Sequence, residues 1–135
     1  MPLASATALP ARHYAGEAAF LRDQRAVFPR SWQLVAHAAQ LAEAGDHVVE
    51  QVGRLPVILV RGTDGVLRGF ANVCRHRAGP LALCNGKGAR ALHCKYHGWT
   101  YTLEGQLRSA PEMQGAADFD VADIRLPALR VAEWQ

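Results

Sequence analysis

The sequence predicts an all-β fold, a small antiparallel β-sandwich that follows one short N-terminal helix. The chain has 135 residues, of which half are hydrophobic and a fifth are charged, and this suits one domain with a buried core. Short segments rich in β-branched and aromatic residues recur along the chain, and glycine turns separate them. Many short strands joined by tight turns indicate an antiparallel sandwich.

The first element is a predicted amphipathic helix over residues 16–28. Its apolar residues recur among charged ones at near-helical spacing, and Pro29 ends the pattern. We therefore expect residues 1–30 to form an N-terminal tail and helix, and residues 31–135 to form the β domain.

The strands follow in order and are separated by turn signals. Asp64-Gly65 predicts a hairpin, and Glu104-Gly105 predicts a second tight turn. Residues 72–89 and 109–122 read as irregular loops. The last strand is expected to turn Leu129, Val131 and Trp134 toward the core. The predicted strands are 32–36, 47–52, 56–61, 66–71, 91–93, 99–103, 106–108 and 129–134.

Composition excludes several classes of partner. The formal net charge is only +3 and no block of like charges occurs, so nucleic-acid binding is not expected. No apolar run reaches the length of a membrane span. The start of the chain has no basic segment of a signal peptide, which favours the cytoplasm. The odd cysteine count, Cys74, Cys84 and Cys94, argues against a disulfide framework.

Two short segments carry the chemistry of this chain. Cys74 and His76 are separated by one residue, and Cys94 and His97 by two, with seventeen residues, 77–93, between the segments. Both segments lie where predicted strands give way to loops, so two loops can converge on one site. Two thiolates and two imidazoles can hold an asymmetric [2Fe–2S] cluster, with the thiolates on one iron and the imidazoles on the other. The set predicts an electron carrier, and it leaves Cys84 as a spare thiol.

The same donor set leaves a structural zinc site open as an alternative. Zinc also accepts two cysteines and two histidines. Zinc fingers, however, more often pair cysteine with cysteine and histidine with histidine, and a helix follows. Here cysteine and histidine alternate and no helical pattern follows, which favours the iron–sulfur cluster.

The two segments resemble the two boxes of a Rieske [2Fe–2S] domain. Residues 74–77, Cys-Arg-His-Arg, and residues 94–99, Cys-Lys-Tyr-His-Gly-Trp, match those boxes most closely in the α subunits of Rieske non-haem iron oxygenases of the aromatic-ring-hydroxylating type. Lys95 stands where that family often has proline. The resemblance extends to residues 28–32, 56–61 and 70–73, and it implies a Rieske domain over residues 31–135. It also implies that the ligands are Cys74, His76, Cys94 and His97.

The resemblance implies a relay between two partners. Such a domain accepts one electron from a ferredoxin or flavin reductase and passes it to a mononuclear Fe(II) in a C-terminal catalytic domain. That iron needs two histidines and a carboxylate, and no histidine follows His97 in this chain. Whether the chain is part of an enzyme therefore stays open. A free-standing Rieske ferredoxin is the alternative.

Three positions distinguish the oxygenase type from the respiratory type of Rieske protein. The respiratory type has a cysteine in each loop, forming a disulfide, and the corresponding positions here are Gly79 and Tyr96. Trp99 stands where that type has a serine that donates a hydrogen bond to a cluster sulfur. We therefore expect an unbraced cluster with a potential toward the low end of the Rieske range, about −150 to +300 mV. The basic residues of the boxes, Arg75, Arg77 and Lys95, would attract an acidic electron donor.

Overall fold

The structure, a computed structural model, describes residues 3–134. The chain divides into two compact units, Met1–Leu34 and Val35–Gln135. The first unit contains the predicted helix, α1, which spans Glu17–Ala26. Glu17 in its first turn and Arg25 in its last turn carry charges that interact favourably with the helix dipole and stabilise the helix. The helix ends ahead of a 3-10 turn, Phe28–Arg30, that contains the predicted terminator Pro29.

The second unit contains two antiparallel sheets. The larger sheet has the order β1-β2-β3-β7 and the smaller has the order β4-β5-β6. The larger sheet consists of β1 (His47–Val52), β2 (Leu55–Arg61), β3 (Leu67–Ala71) and β7 (Ala128–Leu129). The smaller sheet consists of β4 (Leu92–His93), β5 (Thr100–Tyr101) and β6 (Leu107–Ser109).

The β2–β3 hairpin turns at the predicted Asp64-Gly65 pair. Gly65 adopts a φ of 77°, which the turn requires and a glycine accepts without strain. The Asp64 carboxylate accepts two hydrogen bonds of 2.7 Å from the Arg68 guanidinium and one of 3.0 Å from the Val66 N–H. The bonds from Arg68 hold the pKa of Asp64 well below its usual value.

The turn between β5 and β6 lies directly against β3. Gly105 has a φ of 87°, and a Cβ atom there would lie 2.6 Å from Cε1 of Phe70. A side chain at this position is therefore excluded by the aromatic ring as well as by the backbone conformation. The predicted Glu104-Gly105 turn is confirmed, and it brings the smaller sheet onto the larger one.

One hydrophobic core joins the two sheets, which confirms the predicted sandwich. Ile58, Val60 and Phe70 come from the larger sheet, while Leu92 and Tyr101 come from the smaller one. The sulfurs of the two box cysteines are part of this core, so the folding of the sandwich itself positions them. The remaining buried members are Cys74, Leu81, Cys94, Trp99, Leu103, Leu107 and Leu126.

Two predicted strands are wrong. Residues 32–36 form no strand and belong to neither sheet of residues 3–134, and Leu34 is 97% exposed. Only one of these five residues, Val35, is β-branched, which weakens the preference for a strand. The last strand is restricted to Ala128–Leu129, which pairs only with residues 69–70 of β3. Trp134 is 98% exposed instead of core-facing, whereas Val131 packs partly against the second buried cluster of the sandwich. Within residues 3–134, no helix has the length and apolar character needed to cross a membrane.

Candidate metal centre

The first loop, residues 74–79, follows β3 and folds back on its own cysteine. The Cys74 N–H donates to the Gly79 carbonyl at 2.8 Å, and the Ala78 N–H donates to the Cys74 carbonyl at 3.0 Å. These bonds close a tight turn over residues 75–77. Ala78 adopts a φ of 56°, an uncommon conformation for a residue with a side chain. The turn therefore sets the direction of residue 76 through the backbone.

The second loop, residues 94–99, repeats the same backbone frame. The Cys94 N–H donates to the Trp99 carbonyl at 2.9 Å, and the Gly98 N–H donates to the Cys94 carbonyl at 3.0 Å. Gly98 takes the left-handed position, with a φ of 75°. The two loops differ in where the histidine stands: His76 lies two residues after its cysteine, and His97 lies three after its own.

The two loops bring the four predicted ligands together as pairs. Cys74 and Cys94 are 3% and 2% exposed, while His76 and His97 are half-buried. The two imidazole centroids are 4.6 Å apart, with the rings at 70° to each other. The imidazoles therefore lie nearer to solvent than the thiols.

A pairwise arrangement differs from a site for a single ion. Among residues 3–134, no group of three or more His, Cys, Asp or Glu side chains is arranged to hold one metal ion. Each iron of a Rieske cluster takes only two protein ligands. The two loops of this chain provide two such pairs of donors, the adjacent imidazoles of His76 and His97 and the adjacent thiols of Cys74 and Cys94.

The Tyr101 hydroxyl bridges the first loop to the smaller sheet. Tyr101 is fully buried, and its oxygen accepts a hydrogen bond of 3.0 Å from the Arg75 N–H. The same oxygen lies 3.3 Å from Sγ of Cys74. A thiolate can only accept, so the hydroxyl proton is the donor to a ligating Cys74 sulfur. Burial, followed by the Cys74 contact, raises the pKa of the Tyr101 hydroxyl and keeps that proton in place.

The environment of Cys94 combines burial with backbone donors. Burial raises the pKa of its thiol above the usual value, and the neighbouring Cys74 thiol acts in the same direction. The backbone N–H groups of Tyr96 and His97 lower that pKa by donating toward the sulfur. A positive metal centre would favour the deprotonated form, and these N–H groups would then stabilise the thiolate.

His76 is held by aromatic stacking rather than by hydrogen bonds. Its ring lies parallel to the Trp99 indole, with centroids 4.9 Å apart and an interplanar angle of 9°. Phe119 meets the same indole edge-on at 5.7 Å. Nδ1 of His76 is buried and has no hydrogen-bond partner in the described chain. Burial lowers the pKa of His76, and this favours the neutral imidazole that a metal requires.

These properties fit a [2Fe–2S] cluster. The unpartnered Nδ1 of His76 leaves a nitrogen available to iron, and the buried thiols of Cys74 and Cys94 lie beside each other. A pair of adjacent thiols and a pair of adjacent imidazoles match the asymmetric ligand set of a Rieske centre. Cys74, His76, Cys94 and His97 are therefore the residues that could hold the cluster.

The two loops approach each other closely at Gly79. A Cβ atom on Gly79 would lie 3.1 Å from Sγ of Cys94 and 3.3 Å from Cβ of Tyr96. Cysteines joined by a disulfide have Cβ atoms about 3.5–4.5 Å apart. The positions that correspond to the disulfide of the respiratory type are thus neighbours here, with glycine and tyrosine in place of the bridge.

Asn72 braces the first loop without a covalent bond. Its side chain is buried, and its Oδ1 accepts hydrogen bonds from the N–H groups of Leu81 and Ala82 at 2.9 and 3.1 Å. Its Nδ2 donates to the Ala82 carbonyl at 2.8 Å. These three bonds join the end of β3 to the segment that leaves the loop. Asn72 therefore closes the base of the first loop.

A second anchor holds the segment between the loops. The buried Asp46 carboxylate accepts hydrogen bonds from Lys87 at 2.8 Å and from the Gly88 N–H at 3.3 Å. The bond from Lys87 lowers the pKa of Asp46 below its usual value. Asn85 accepts a hydrogen bond from the Val49 N–H on β1. The long connection between the two boxes is therefore fixed to the larger sheet.

The remaining residues of interest lie outside the paired set. Cys84 is an exposed free thiol, as its role of spare cysteine predicted. Arg75, Arg77 and Lys95 are exposed on the two loops. His93 is also exposed and lies within hydrogen-bond distance of the Thr100 hydroxyl, so it does not face the ligand pairs.

Sequence reasoning missed the residues that support the ligands. Asn72, Phe119 and the stack of Trp99 on His76 are not visible in residue spacing, because their partners lie nine or more residues away. The one available signal is an asparagine directly at the end of a predicted strand, ahead of a ligand loop. Such a residue often satisfies loop backbone groups.

Comparison with protein families identifies what this arrangement is similar to. The sequence model of the Rieske [2Fe–2S] domain matches residues 31–127. The carnitine monooxygenase oxygenase subunit of Escherichia coli (strain K12) is 39% identical over 126 residues, which are 93% of this chain and 34% of that protein. The biphenyl 2,3-dioxygenase subunit alpha of Rhodococcus jostii (strain RHA1) is 36% identical over 93% of this chain and 25% of its own length.

Solved structures show the same likeness. A quaternary ammonium Rieske monooxygenase in its apo form superimposes with a TM-score of 0.87 at 34% identity, covering 94% of this chain and 37% of its own. Naphthalene 1,2-dioxygenase with bound indole gives a TM-score of 0.82 at 30% identity, covering 90% of this chain and 28% of its own. The chain spans about a third of the length of the first curated relatives it matches.

Proposed function

The chain belongs to the Rieske [2Fe–2S] domain family, and from that premise we propose that it carries single electrons through a cluster bound by Cys74, His76, Cys94 and His97. The observation that carries this proposal is the pairing of the two loops, which bring together two buried thiols and two half-buried imidazoles. When bound, the cluster supplies a one-electron redox centre at a raised potential.

The proposed boundaries of the electron-transfer domain are residues 31–135, with residues 1–30 as the N-terminal tail and helix. The family match, which begins at residue 31, supports the first boundary. The compact unit that begins at Val35 contains all seven strands and both loops. The cluster loops would therefore need no residue of the N-terminal segment as a ligand.

The proposed electron acceptor is the mononuclear iron of an oxygenase catalytic domain. The relatives in the comparison are oxygenase subunits about three to four times as long as the part this chain matches. His76 and His97 are the half-buried ligands, so the electron would leave through their imidazoles. Oxygenation would take place in a separate domain, and this chain would supply the electron. A free-standing Rieske ferredoxin receives less support, because the matched relatives are parts of oxygenases.

The proposed electron donor is a ferredoxin or a flavin reductase. Rieske oxygenases take electrons from partners of this kind. The exposed side chains of Arg75, Arg77 and Lys95 place positive charge around the two imidazoles, which would attract an acidic donor. We also propose a cytoplasmic location, since none of the three cysteines forms a disulfide, as is usual in a reducing compartment.

Reconstitution of the chain with iron and sulfide tests the proposal. We expect two iron and two sulfide per chain, a coloured product and an EPR signal after one-electron reduction. Cys74→Ser and His97→Ala should each abolish the EPR signal of the intact cluster. The matched controls Cys84→Ser and His13→Asn remove the same residue types outside the ligand set and should retain it.

Zinc gives the opposite outcome in the same experiment. A chain that binds one zinc ion in competition with iron and sulfide, and stays colourless, would overturn the proposal. Loss of the cluster in Cys84→Ser, with retention in Cys74→Ser, would contradict the ligand assignment alone.

A further inference from the structure

Trp99 contains a buried polar group that the protein does not satisfy. The residue is 3% exposed, and its indole Nε1–H has no hydrogen-bond partner among the described residues. A buried donor without an acceptor carries a desolvation penalty, so such groups are rare in folded proteins. We therefore expect a group that is not part of the polypeptide to accept this hydrogen bond.

The position of this donor is specific. Only three buried side-chain nitrogen or oxygen atoms lack a partner in residues 3–134: Nε1 of Trp99, Nδ1 of His76 and Oε1 of Gln24. Two of the three belong to the stacked pair of Trp99 and His76, whose ring centroids are 4.9 Å apart. A donor and an imidazole nitrogen are thus left unpaired in one stacked pair, and Trp99 belongs to the same buried cluster as the two cysteines.

The cysteine sulfurs do not serve as the acceptor. Both are present in the structure, and the Trp99 N–H forms a hydrogen bond with neither of them. Phe119, which packs against the edge of the indole, has no polar atom. A water molecule would need two or more polar partners, and Nδ1 of His76, the other unpartnered polar atom of the stacked pair, is assigned to an iron of the cluster.

We propose that the Trp99 Nε1–H donates a hydrogen bond to an inorganic sulfide of the [2Fe–2S] cluster and so stabilises its reduced form. This inference rests on the proposed function, because it requires the cluster held by His76 and its partners. Reduction makes the sulfides more negative, so a donor aimed at them raises the potential. The Trp99 N–H would then take the place of the serine hydroxyl that donates to a cluster sulfur in the respiratory type of Rieske protein.

The variant Trp99→Phe tests the hydrogen bond with the stack retained. Phenylalanine keeps an aromatic ring against His76 but has no N–H. We expect full cluster content and reduction about tenfold less favourable at a fixed potential, which is about 59 mV for one electron. One of the proton couplings that exchange in D2O, measured by ENDOR on the reduced cluster, should also disappear, while those from the Tyr101 hydroxyl and the backbone N–H groups remain. Phe119→Leu perturbs the same indole without removing a donor, and it should keep that coupling.

A second substitution tests the same hydrogen bond if Trp99→Phe fails to retain the cluster. Replacement of Trp99 by the benzothienyl analogue of tryptophan keeps the ring shape and substitutes sulfur for the N–H. If the analogue has an unchanged potential and an unchanged exchangeable coupling, this inference is wrong. The presence of the cluster in that variant would still support the proposed function. Failure of the wild-type chain to bind any cluster would overturn both.

Discussion

At the scale of the residue, the site depends on side chains that act on the ligands without being ligands. Tyr101 is fully buried and places its hydroxyl 3.3 Å from Sγ of Cys74, with the Arg75 N–H fixing the direction of the hydroxyl proton. The hydrogen bond favours the thiolate and the more negative state of a bound cluster. Through this buried hydroxyl, Tyr101 on β5 of the smaller sheet would influence the potential of a cluster bound by Cys74.

Tyr101→Phe should lower the midpoint potential. Loss of one hydrogen bond to sulfur, worth about 1 kcal/mol, corresponds to roughly 40 mV for one electron. Protein-film voltammetry measures the shift, and the exposed Tyr14→Phe provides the matched control. A potential equal to that of wild type in Tyr101→Phe would mean that the hydroxyl serves only the Arg75 backbone.

The residue scale is also where sequence reasoning was strongest and weakest. The ligand types and their spacing sufficed to predict that four residues, Cys74, His76, Cys94 and His97, come together, because a Cys and a His on each tight loop have few other uses. The orientation of each ligand was not predictable. It depends on Trp99 and on contacts made through the fold, which a linear spacing does not record.

At the scale of the element, both loops are rigid because their bases are closed by hydrogen bonds. The first loop is closed by Asn72, whose three side-chain bonds join β3 to residues 81–82. The second loop lies between β4 and β5, which pair directly through His93 and Thr100. Each loop is therefore held by a different device, an amide side chain in one case and a strand pair in the other.

Asn72→Ala should destabilise the fold and the cluster together. The substitution leaves the buried N–H groups of Leu81 and Ala82 unpaired, at a cost of about 2–4 kcal/mol. Urea unfolding measures the free-energy change, and the half-life of the visible absorption band measures loss of the cluster. Asn85→Ala removes an exposed acceptor with one backbone bond and should cost less than about 1 kcal/mol. Equal effects in the two variants would contradict the role of Asn72.

Prediction of the elements succeeded where local pattern and tertiary pairing agree. β1 and β2 are rich in β-branched residues, β3 follows a clear turn, and each of the three has a neighbouring strand. Residues 32–36 contain one β-branched residue, Val35, and belong to neither sheet. The last strand stops at Leu129, since β3 offers it only two residues. Composition predicts the ability to form a strand, whereas the sheet decides where a strand exists.

At the scale of the whole molecule, the modest positive charge becomes meaningful through its distribution. The net charge of +3 is too small to predict a partner. Three of the basic residues, Arg75, Arg77 and Lys95, are nevertheless exposed on the two loops that present the imidazoles. A charge placed around an electron entry or exit point changes encounter rates more than it changes affinity.

Charge reversal at Arg75 and Lys95 should slow reduction of the cluster. With an acidic [2Fe–2S] ferredoxin as donor, the double variant Arg75→Glu and Lys95→Glu should react roughly tenfold more slowly at low ionic strength. The difference should shrink at high salt, because exposed charges are screened. Stopped-flow absorbance measures the rate. The control Arg12→Glu with Arg30→Glu changes the net charge equally, and an identical slowing there would rule out a local effect of the loops.

The contact between Gly79 and Tyr96 has a consequence for how this protein matures. The loops meet at a distance suited to a covalent bridge, yet hydrogen bonds and glycine take its place. No disulfide has to form before a cluster is inserted. A chain that has lost its cluster can be reloaded without an oxidoreductase to re-form a bridge.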